Sequence, residues 1–425
     1  MLMDASPASS YQLLLTATAY GGHIDKGKCS VFAFRFCPRG RNSLSTILLD
    51  IMVLSDTPPL LLYLKIGGLI VPCYHPLKAF DISSVDGLSK NNKKNLIIKS
   101  YNVNHLEKIK DKYIECYDDY RSDLCERYIK DYVEIPCGKC IGCRLEYSRQ
   151  WANRMMLEAK YHSQNWFVTL TYDDLHLPRS YYGDPNSGEP LPSLTLRKRD
   201  IQLFFKRLRK QTGQEFRYYC CGEYGENTHR PHYHFIIFGL ELNDLVFLKR
   251  SDNFNYYTSD TISKAWSEYD NYTGERTSFG FHMVCEVSWE TCAYVARYVT
   301  KKLNGTAAEF YDTFNIQPEF CVMSRKPGIG RQYFDDNAAD ILKYQNIIIS
   351  TPNGGKQFKP PRYYDKLFDI IVPDEMAEIR EIRRRTAENA TKMKLERTNL
   401  SYIELLEVAE QNKIAQTKSL IRSDI

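Results

Sequence analysis

An apolar, aromatic run at residues 230–238 constrains the fold more than any other stretch of the sequence. Its order, Arg-Pro-His-Tyr-His-Phe-Ile-Ile-Phe, is typical of a β-strand, in which residues two apart project from the same face. His232 and His234 are therefore predicted to share one face of a sheet, with Tyr233 on the other. Two imidazoles on one rigid strand can bind a divalent cation, but an isolated His-X-His is also typical of two half-buried sheet residues.

The segments around this run predict one antiparallel sheet with helices packed on it. Further strands are predicted at 166–172, 216–221 and 279–287, and helices at 144–162, 196–212, 258–269 and 289–304. Because a polar loop separates 216–221 from the histidine run, these two strands are predicted to form a hairpin. The fold class is therefore α+β, a central antiparallel sheet with flanking helices and a mainly helical C-terminal region. That region is expected to contain a helix near 335–344 and a long charged helix from about 374 to 418.

The bulk composition limits the class of protein without identifying it. The chain has 425 residues, 13 of them cysteine, and a formal net charge of +5, which permits nucleic acid binding without requiring it. No basic segment precedes an apolar core at the start, so the cysteines predict thiols or a metal site in a reducing, cytoplasmic setting. The most apolar N-terminal segment, 57–73, is interrupted by Pro, Lys and Gly and is too short for a membrane helix.

Changes in composition divide the chain into four predicted regions. An irregular N-terminal extension is expected at 1–70, a region with a cysteine cluster and a helix at 71–163, a core at 164–305, and a C-terminal region at 306–425. The polar residues 88–131 predict an irregular or helical insertion in the second region.

Three cysteines that precede the first predicted helix have the spacing of metal ligands. Cys137, Cys140 and Cys143 are each three residues apart, and the spacing is compatible with a structural Zn²⁺ site or with free thiols. A fourth thiolate would come from one of three further cysteines: Cys73, Cys116 or Cys125.

The predicted helix 196–212 has an apolar stripe and a basic face. Its apolar residues recur at helical spacing, which predicts packing on the core, and Gly213 is expected to end the helix. The basic face is compatible with a solvated surface or with contacts to phosphates. The candidate DNA-binding residues on this face are Arg199, Lys206, Arg209 and Lys210.

The predicted helix 289–304 contains Tyr294 and Tyr298, which lie one turn apart on the same face. Two such tyrosines are often core residues. Alternatively, a tyrosine phenol can attack a phosphodiester and form a covalent link to the DNA. Because the phenol has an unperturbed pKa of about 10, it needs help at neutral pH, and a divalent cation at the phosphate would supply it.

The third ligand of a cation held by His232 and His234 is predicted to be Glu223. It precedes His232 by nine residues, so across an antiparallel hairpin it can lie opposite that histidine. Glu226 and His229, in the connecting loop, are the alternatives. A mixed nitrogen and oxygen ligand set suits Mg²⁺ or Mn²⁺ over a phosphate, although Zn²⁺ would also fit the histidines.

Several of these motifs together resemble those of the HUH endonuclease superfamily. His232-Tyr233-His234 resembles its histidine–hydrophobic–histidine motif, residues 167–172 its first strand motif, and the tyrosine pair with the following lysines its two-tyrosine motif. The segments 136–144, 151–154, 222–225 and 323–330 look like those of the replication initiators of microviruses, of the gokushovirus type. The resemblance covers roughly residues 70–335, and about 70 residues precede the segment at which such proteins tend to begin.

The resemblance implies a palm-like HUH fold and a rolling-circle initiator. Such a protein would nick the origin, keep the 5′ end on a tyrosine and release a circle by rejoining. It implies that His232, His234 and Glu223 hold the metal, that Tyr294 and Tyr298 are the nucleophiles, and that Lys301, or else Lys302, steadies the phosphotyrosine or helps to activate the phenol.

The same resemblance implies the partners and the setting. The partners would be single-stranded and origin DNA of a circular phage genome, a host helicase and a host replication polymerase, in the cytoplasm of the bacterial host. Two other interpretations remain. A non-catalytic DNA-binding protein leaves the metal triad unexplained, and a zinc-dependent hydrolase leaves the tyrosine pair unexplained.

Overall fold

The computed structural model describes residues 73–82, 96–225, 228–251, 254–298, 302–303, 305–351 and 354–418. All of them belong to one compact unit that spans residues 68–425. The predicted extension at 1–70 lies outside the described residues, and the division of the rest into three regions stays a prediction. Within these ranges, none of the helices combines the length and the apolar character needed to cross a lipid bilayer.

The structure is mixed α+β, as predicted. Its strands are β1 (Leu77–Asp81), β2 (Leu96–Ser100), β3 (His105–Ile109), β4 (Lys112–Cys116), β5 (Arg127–Ile129), β6 (Tyr132–Ile135), β7 (Asn165–Thr171), β8 (Arg179–Gly183), β9 (Pro190–Leu194), β10 (Arg217–Tyr224), β11 (Pro231–Phe238), β12 (Leu245–Ser251), β13 (Phe254–Ser259), β14 (Ser267–Tyr269), β15 (Arg276–Ser278), β16 (His282–Glu286), β17 (Phe320–Met323), β18 (Ile347–Thr351) and β19 (Gly354–Phe358).

The helices lie between and after these strands. They are α1 (Ile141–Ala159), α2 (Lys198–Thr212), α3 (Asp260–Ala265), α4 (Trp289–Arg297), α5 (Glu309–Thr313), α6 (Arg331–Tyr344), α7 (Arg362–Ile371), α8 (Pro373–Leu395) and α9 (Tyr402–Lys418).

One seven-stranded sheet organises the unit, in the order β12-β13-β16-β7-β11-β10-β17. Every neighbouring pair in it is antiparallel. The histidine strand β11 lies near the middle, between β7 and β10, and it forms the predicted hairpin with β10. The large antiparallel sheet with flanking helices therefore confirms the predicted architecture.

The two faces of this sheet are covered by different helices. Alternate residues of β11 point to opposite faces. Tyr233, Phe235 and Ile237 join the cluster that contains the apolar stripe of α2. Ile236 and Phe238, which share a face with the histidines, pack in the cluster formed by α1 and α4. The sheet is therefore sandwiched between α2 on one side and the α1–α4 pair on the other.

The prediction of an irregular or helical insertion at 88–131 was wrong for the part that the structure describes. Residues 96–129 form the strands β2 to β5, with tight turns between them. In β2 the side chains alternate between exposed and half-buried, which is the period of a strand and not of a helix. The high content of Ile and Tyr in this segment favours that outcome.

The predicted single helix at 374–418 is two helices, α8 and α9, with a break at 396–401. A capping box causes the break. The amide of Ser401 donates to Glu404 Oε2 at 2.8 Å, and the amide of Glu404 donates to Ser401 Oγ at 3.4 Å. Because this Ser-X-X-Glu pattern satisfies the first amides of a new helix, it starts α9 at this point.

Strand β10 is longer than predicted, because it continues past Cys221 to Tyr224. Gly222 lies within it, and an added Cβ would lie 2.9 Å from the ring of Phe320 on the neighbouring strand β17. A glycine at this position lets that ring pack directly on the backbone. The extension places Glu223 inside the sheet.

Gly280 controls how the chain crosses the end of β7. Its φ is +145°, and an added Cβ would lie 2.4 Å from the amide nitrogen of Asp173 and 2.7 Å from the carbonyl oxygen of Thr171. The flanking carbonyls accept from the same strand, Phe281 O from the amide of Thr171 and Phe279 O from the amide of Asp173, both at 2.9 Å. A side chain here would push two backbones apart.

We predict that Gly280→Ala lowers the free energy of unfolding by about 2–4 kcal/mol, since overpacking against backbone adds to the strain of the φ angle. Gly213→Ala is the matched control, because Gly213 also has a positive φ, +69°, but nothing lies within 4 Å of its added Cβ. The control is expected to lose only about 1 kcal/mol. Chemical denaturation of both variants measures the difference, and equal losses would contradict this account of the crossing.

Candidate active site

The strand register brings the predicted metal ligands to one face of the sheet. Glu223 on β10 lies directly opposite His232 on β11, and Cys221 lies opposite His234. On the other side of β11, Thr169 of β7 pairs with His234. Because paired residues share a face, the two histidines, Glu223 and Thr169 all point toward α1 and α4.

His234 is held at both ring nitrogens. Its Nε2 is 2.8 Å from Glu223 Oε1, and its Nδ1 is 3.0 Å from Thr169 Oγ1. All three side chains are buried. A hydroxyl can donate or accept, so Thr169 orients the ring in either tautomer. Sequence reasoning missed this threonine, although it stands in the strand motif at 167–172, because threonine in a strand is ordinary sheet material.

The ring of His232 is fixed by the backbone. Its Nδ1 donates to the carbonyl oxygen of Arg230 at 2.7 Å, which leaves the lone pair of the neutral ring on Nε2. Loss of hydration, and then the nearby His234, lower the pKa of His232 below its usual value. The imidazole is therefore kept neutral and in the tautomer that a metal ligand needs.

The three candidate ligands do not converge fully in this arrangement. Glu223 and His234 are joined by their hydrogen bond, but the triad is not among the groups of described residues whose ligand atoms all lie within 4.8 Å of one another. Of the alternative ligands, Glu226 lies outside the described residues and His229 is exposed in the loop. Two imidazoles and a carboxylate still form a donor set that fits Mg²⁺, Mn²⁺ or Zn²⁺.

Both tyrosines of helix α4 pack on the ring of His234. The Tyr298 ring stacks on it, with centroids 4.8 Å apart and planes 6° apart. The Tyr294 ring meets it edge-on at 5.3 Å, and the two tyrosine rings are themselves 4.8 Å apart. The structure thus brings together the histidine, the carboxylate and the two phenols that the sequence suggested separately.

The two tyrosines differ in environment. Tyr294 is half-buried, whereas Tyr298 is only 7% exposed. Burial, followed by the charge of Glu223 and the neighbouring Tyr294, raises the pKa of the Tyr298 phenol well above its usual range. Tyr294 also contacts the ring of Phe167 edge-on at 5.8 Å. The pair therefore offers one accessible phenol and one enclosed phenol.

Helix α4 is anchored at its start and along its buried side. Ser288 and Thr291 form a capping box at its N-terminus. Trp289 Nε1 donates to Asn153 Oδ1 at 3.2 Å, which ties α4 to α1. Of the two candidate lysines beyond the helix, Lys301 lies outside the described residues and Lys302 is exposed.

The four candidate DNA-binding residues lie on α2, which covers the opposite face of the sheet from the histidines. Arg199, Lys206 and Lys210 are exposed. Arg209 Nη2 donates to the carbonyl oxygen of Phe216 at 3.0 Å, and its guanidinium lies over the Phe216 ring. The basic face is therefore separated from the tyrosines by the thickness of the sheet.

The cysteine cluster lies elsewhere, at the start of α1. Of the three candidates for a fourth member, the structure places Cys73 beside Cys137, Cys140 and Cys143. Cys116 instead lies with His105 and Glu107 in the sheet of β3, β4 and β5. The described cysteines are free thiols.

Comparison with known proteins identifies the family. A family profile described as Replication-associated protein, of the ORF2 type, matches residues 165–303. The chain is 36% identical over 284 residues to Replication-associated protein ORF2 of Spiroplasma virus 4, which covers 65% of this chain and 81% of that protein. The chain belongs to this family of phage replication-associated proteins. The predicted resemblance to the replication initiators of microviruses is thereby confirmed.

Two further relatives have the same description. Replication-associated protein VP4 of Bdellovibrio phage phiMH2K is 31% identical over 57% of this chain and 70% of its own length. Replication-associated protein ORF4 of Chlamydia phage 1 is 27% identical over 57% of this chain and 55% of its own length. No solved structure matches this replication-associated protein.

We predict that His232 of the metal-free protein has its proton on Nδ1, although free histidine prefers Nε2, because the carbonyl of Arg230 accepts from Nδ1. NMR of protein with ¹⁵N-labelled histidine rings, at a pH above the usual value of 6.5, distinguishes the two tautomers. His232→Ala assigns the signal, and His75→Ala is the control. An Nε2–H tautomer at His232 would contradict the described hydrogen bond.

Proposed function

We propose that this replication-associated protein starts rolling-circle replication of a circular phage genome as an HUH-type nickase and strand transferase with a palm-like core. One observation supports it above the others: both tyrosine rings of α4 contact the ring of His234, which is itself hydrogen-bonded to Glu223. A binding-only protein has no need of this arrangement, and a zinc-dependent hydrolase has no use for the two phenols.

The metal-holding residues in this proposal are His232, through Nε2, His234, through Nε2, and the Glu223 carboxylate. Their donor set fits Mg²⁺ or Mn²⁺, either of which would polarise the scissile phosphate and offset its charge when bound. Thr169 and the carbonyl of Arg230 keep the two rings oriented by accepting or donating at the other nitrogen.

The proposed chemical step is a transesterification. The phenol oxygen of a tyrosine attacks the phosphorus, and the bond from phosphorus to the 3′ oxygen breaks. The phenol loses its proton and the departing 3′ oxygen gains one, which gives a 3′ hydroxyl and a 5′-phosphotyrosine link. Because the link preserves the energy of the broken bond, a 3′ hydroxyl can later attack it, rejoin the strand and release the phenol.

We assign the first cleavage to Tyr294. It is half-buried and reachable, whereas Tyr298 is enclosed, stacked on His234 and held protonated by burial and by Glu223. Tyr298 would act on the second strand junction, after the first phenol is occupied. Lys301 or Lys302 would steady the phosphotyrosine.

Its proposed partners are single-stranded and origin DNA, a host helicase and a host polymerase, in the cytoplasm of a bacterial host. A helicase from the host is required in this proposal, because the sequence contains no Gly-rich loop followed by Lys-Ser or Lys-Thr for binding ATP.

The nickase proposal predicts a covalent protein–DNA adduct. Incubation with a labelled single-stranded origin oligonucleotide and Mn²⁺, followed by a denaturing protein gel, is expected to show a labelled protein band. Tyr294→Phe is expected to lower the initial adduct by about 100-fold or more, since it removes the nucleophile, while Tyr298→Phe retains it. The double variant is expected to form none.

Tyr272→Phe is the matched control, because Tyr272 is fully exposed in the turn between β14 and β15. An adduct that persists in the double variant would contradict the assignment of the nucleophiles. Unchanged cleavage by His232→Ala/His234→Ala with metal present would contradict the metal ligands. No adduct from the parent protein on any origin fragment would favour a protein that only binds DNA.

A second prediction follows from the position of α2. Replacing Arg199, Lys206 and Lys210 by Ala is expected to leave the adduct yield on a short, saturating oligonucleotide unchanged, because these residues lie across the sheet from the tyrosines. On longer DNA the slope of log affinity against log salt is expected to fall by about 1 for each lost phosphate contact. Loss of the short-oligonucleotide adduct would contradict this separation, and an unchanged slope would contradict DNA contact by α2.

A further inference from the structure

Four cysteine sulfurs converge at the N-terminal end of α1. The Sγ atoms of Cys73, Cys137, Cys140 and Cys143 all lie within 4.8 Å of one another. The Cys137–Cys143 and Cys73–Cys140 sulfur pairs are each 4.0 Å apart. In a tetrahedral site with Zn–S bonds of about 2.3 Å, neighbouring sulfurs are about 3.8 Å apart. A disulfide would need about 2.05 Å, so the spacing matches a shared ion and not a cross-link.

Backbone amides point at the sulfurs of this cluster. The amide of Cys137 donates to Cys73 Sγ at 3.2 Å, and the amides of Lys139 and Cys140 donate to Cys137 Sγ at 3.4 and 3.3 Å. The amides of Tyr74 and Cys143 donate to Cys140 Sγ at 3.4 and 3.5 Å.

These donors favour the charged form of the sulfur. Cys140 is the N-cap of α1, where the positive end of the helix dipole also stabilises an anion. Hydrogen bonds to a sulfur stabilise the thiolate, which is the form that binds a metal. Four neutral thiols would make weak use of five amide donors.

We propose that Cys73, Cys137, Cys140 and Cys143 bind a structural Zn²⁺ ion. Four thiolate ligands saturate tetrahedral zinc and leave no open position for substrate, so this ion has no part in the cleavage chemistry. The site is separate from the candidate ligands His232, His234 and Glu223, and it stands or falls independently of the nickase proposal.

The zinc would join three segments that are distant in the sequence. Cys73 lies 64 residues before Cys137, whose amide it accepts, and Cys140 is the cap of α1. The third segment is α9, because Leu406 packs with Tyr74 and Cys140 in one apolar cluster. His75 Nε2 is also bonded to Glu410 Oε2 at 2.6 Å. The ion therefore fixes the start of α1 and, through the segment at 73–75, the docking of the C-terminal helix.

The test measures metal in the full chain, purified with a reducing agent and without chelator. Elemental analysis is expected to find about one zinc per chain, and exchange for Co²⁺ is expected to give the visible spectrum of a tetrahedral tetrathiolate site. Cys143→Ser is expected to lose the zinc and the spectrum, whereas Cys125→Ser, a cysteine outside the cluster, is expected to keep both. His232→Ala/His234→Ala is expected to keep them too, which excludes zinc at the candidate active site as the source.

A second measurement covers the case in which Cys143→Ser fails to fold. Removal of zinc from the parent protein by a mercurial reagent is expected to increase proteolysis at 396–401, the break before α9, and Cys125→Ser with its zinc in place is expected to show no increase. A reduced parent protein that binds neither zinc nor Co²⁺ would overturn the proposal, as would retention of the tetrathiolate spectrum in Cys143→Ser. A zinc-bound protein that forms no DNA adduct would contradict the nickase proposal alone.

Discussion

The pairing register between β10 and β11 is the constraint on which the site depends. It sets Glu223 opposite His232 and Cys221 opposite His234, so that the carboxylate and both imidazoles leave the sheet on one face. A slip of one residue would turn either set to the α2 side, since side chains alternate along a strand. The register is secured by what each face buries: Tyr233 and Phe235 pack under α2, and Ile236 and Phe238 pack under α1 and α4.

The buried polar groups on the histidine face are stable because they satisfy one another. An unpaired buried polar group costs about 1–3 kcal/mol, so His234 between Glu223 and Thr169 is tolerable only with both bonds made. The same enclosure raises the pKa of the Tyr298 phenol, because a negative charge there would meet low polarity and the charge of Glu223. The environment that orders the ring therefore opposes premature ionisation of the phenol beside it.

Much of the architecture could be predicted from the sequence, because it follows from local periodicity. The alternation in β11 and the stripe in α2 each gave an element and its buried face. Tertiary choices were less accessible. Nothing in the spacing of Arg199 and Lys206 reveals which face of the sheet α2 covers. The role of Thr169 depends on a partner 65 residues away. The break before α9 was readable in principle, since Ser401 and Glu404 form a capping box, but the charged run around them favoured one continuous helix.

The order in which the ribosome makes these elements has a consequence for folding. Helix α1 packs against α4, and Trp289 reaches Asn153 across 136 residues of sequence. Until α4 has been synthesised, the sheet face with Phe167, Ile236 and Phe238 has only part of its cover. A nascent chain that stalls before residue 289 would present that apolar surface to its surroundings and be prone to aggregation. Completion of the two-tyrosine helix thus supplies the last cover of the core and the last part of the site in one step.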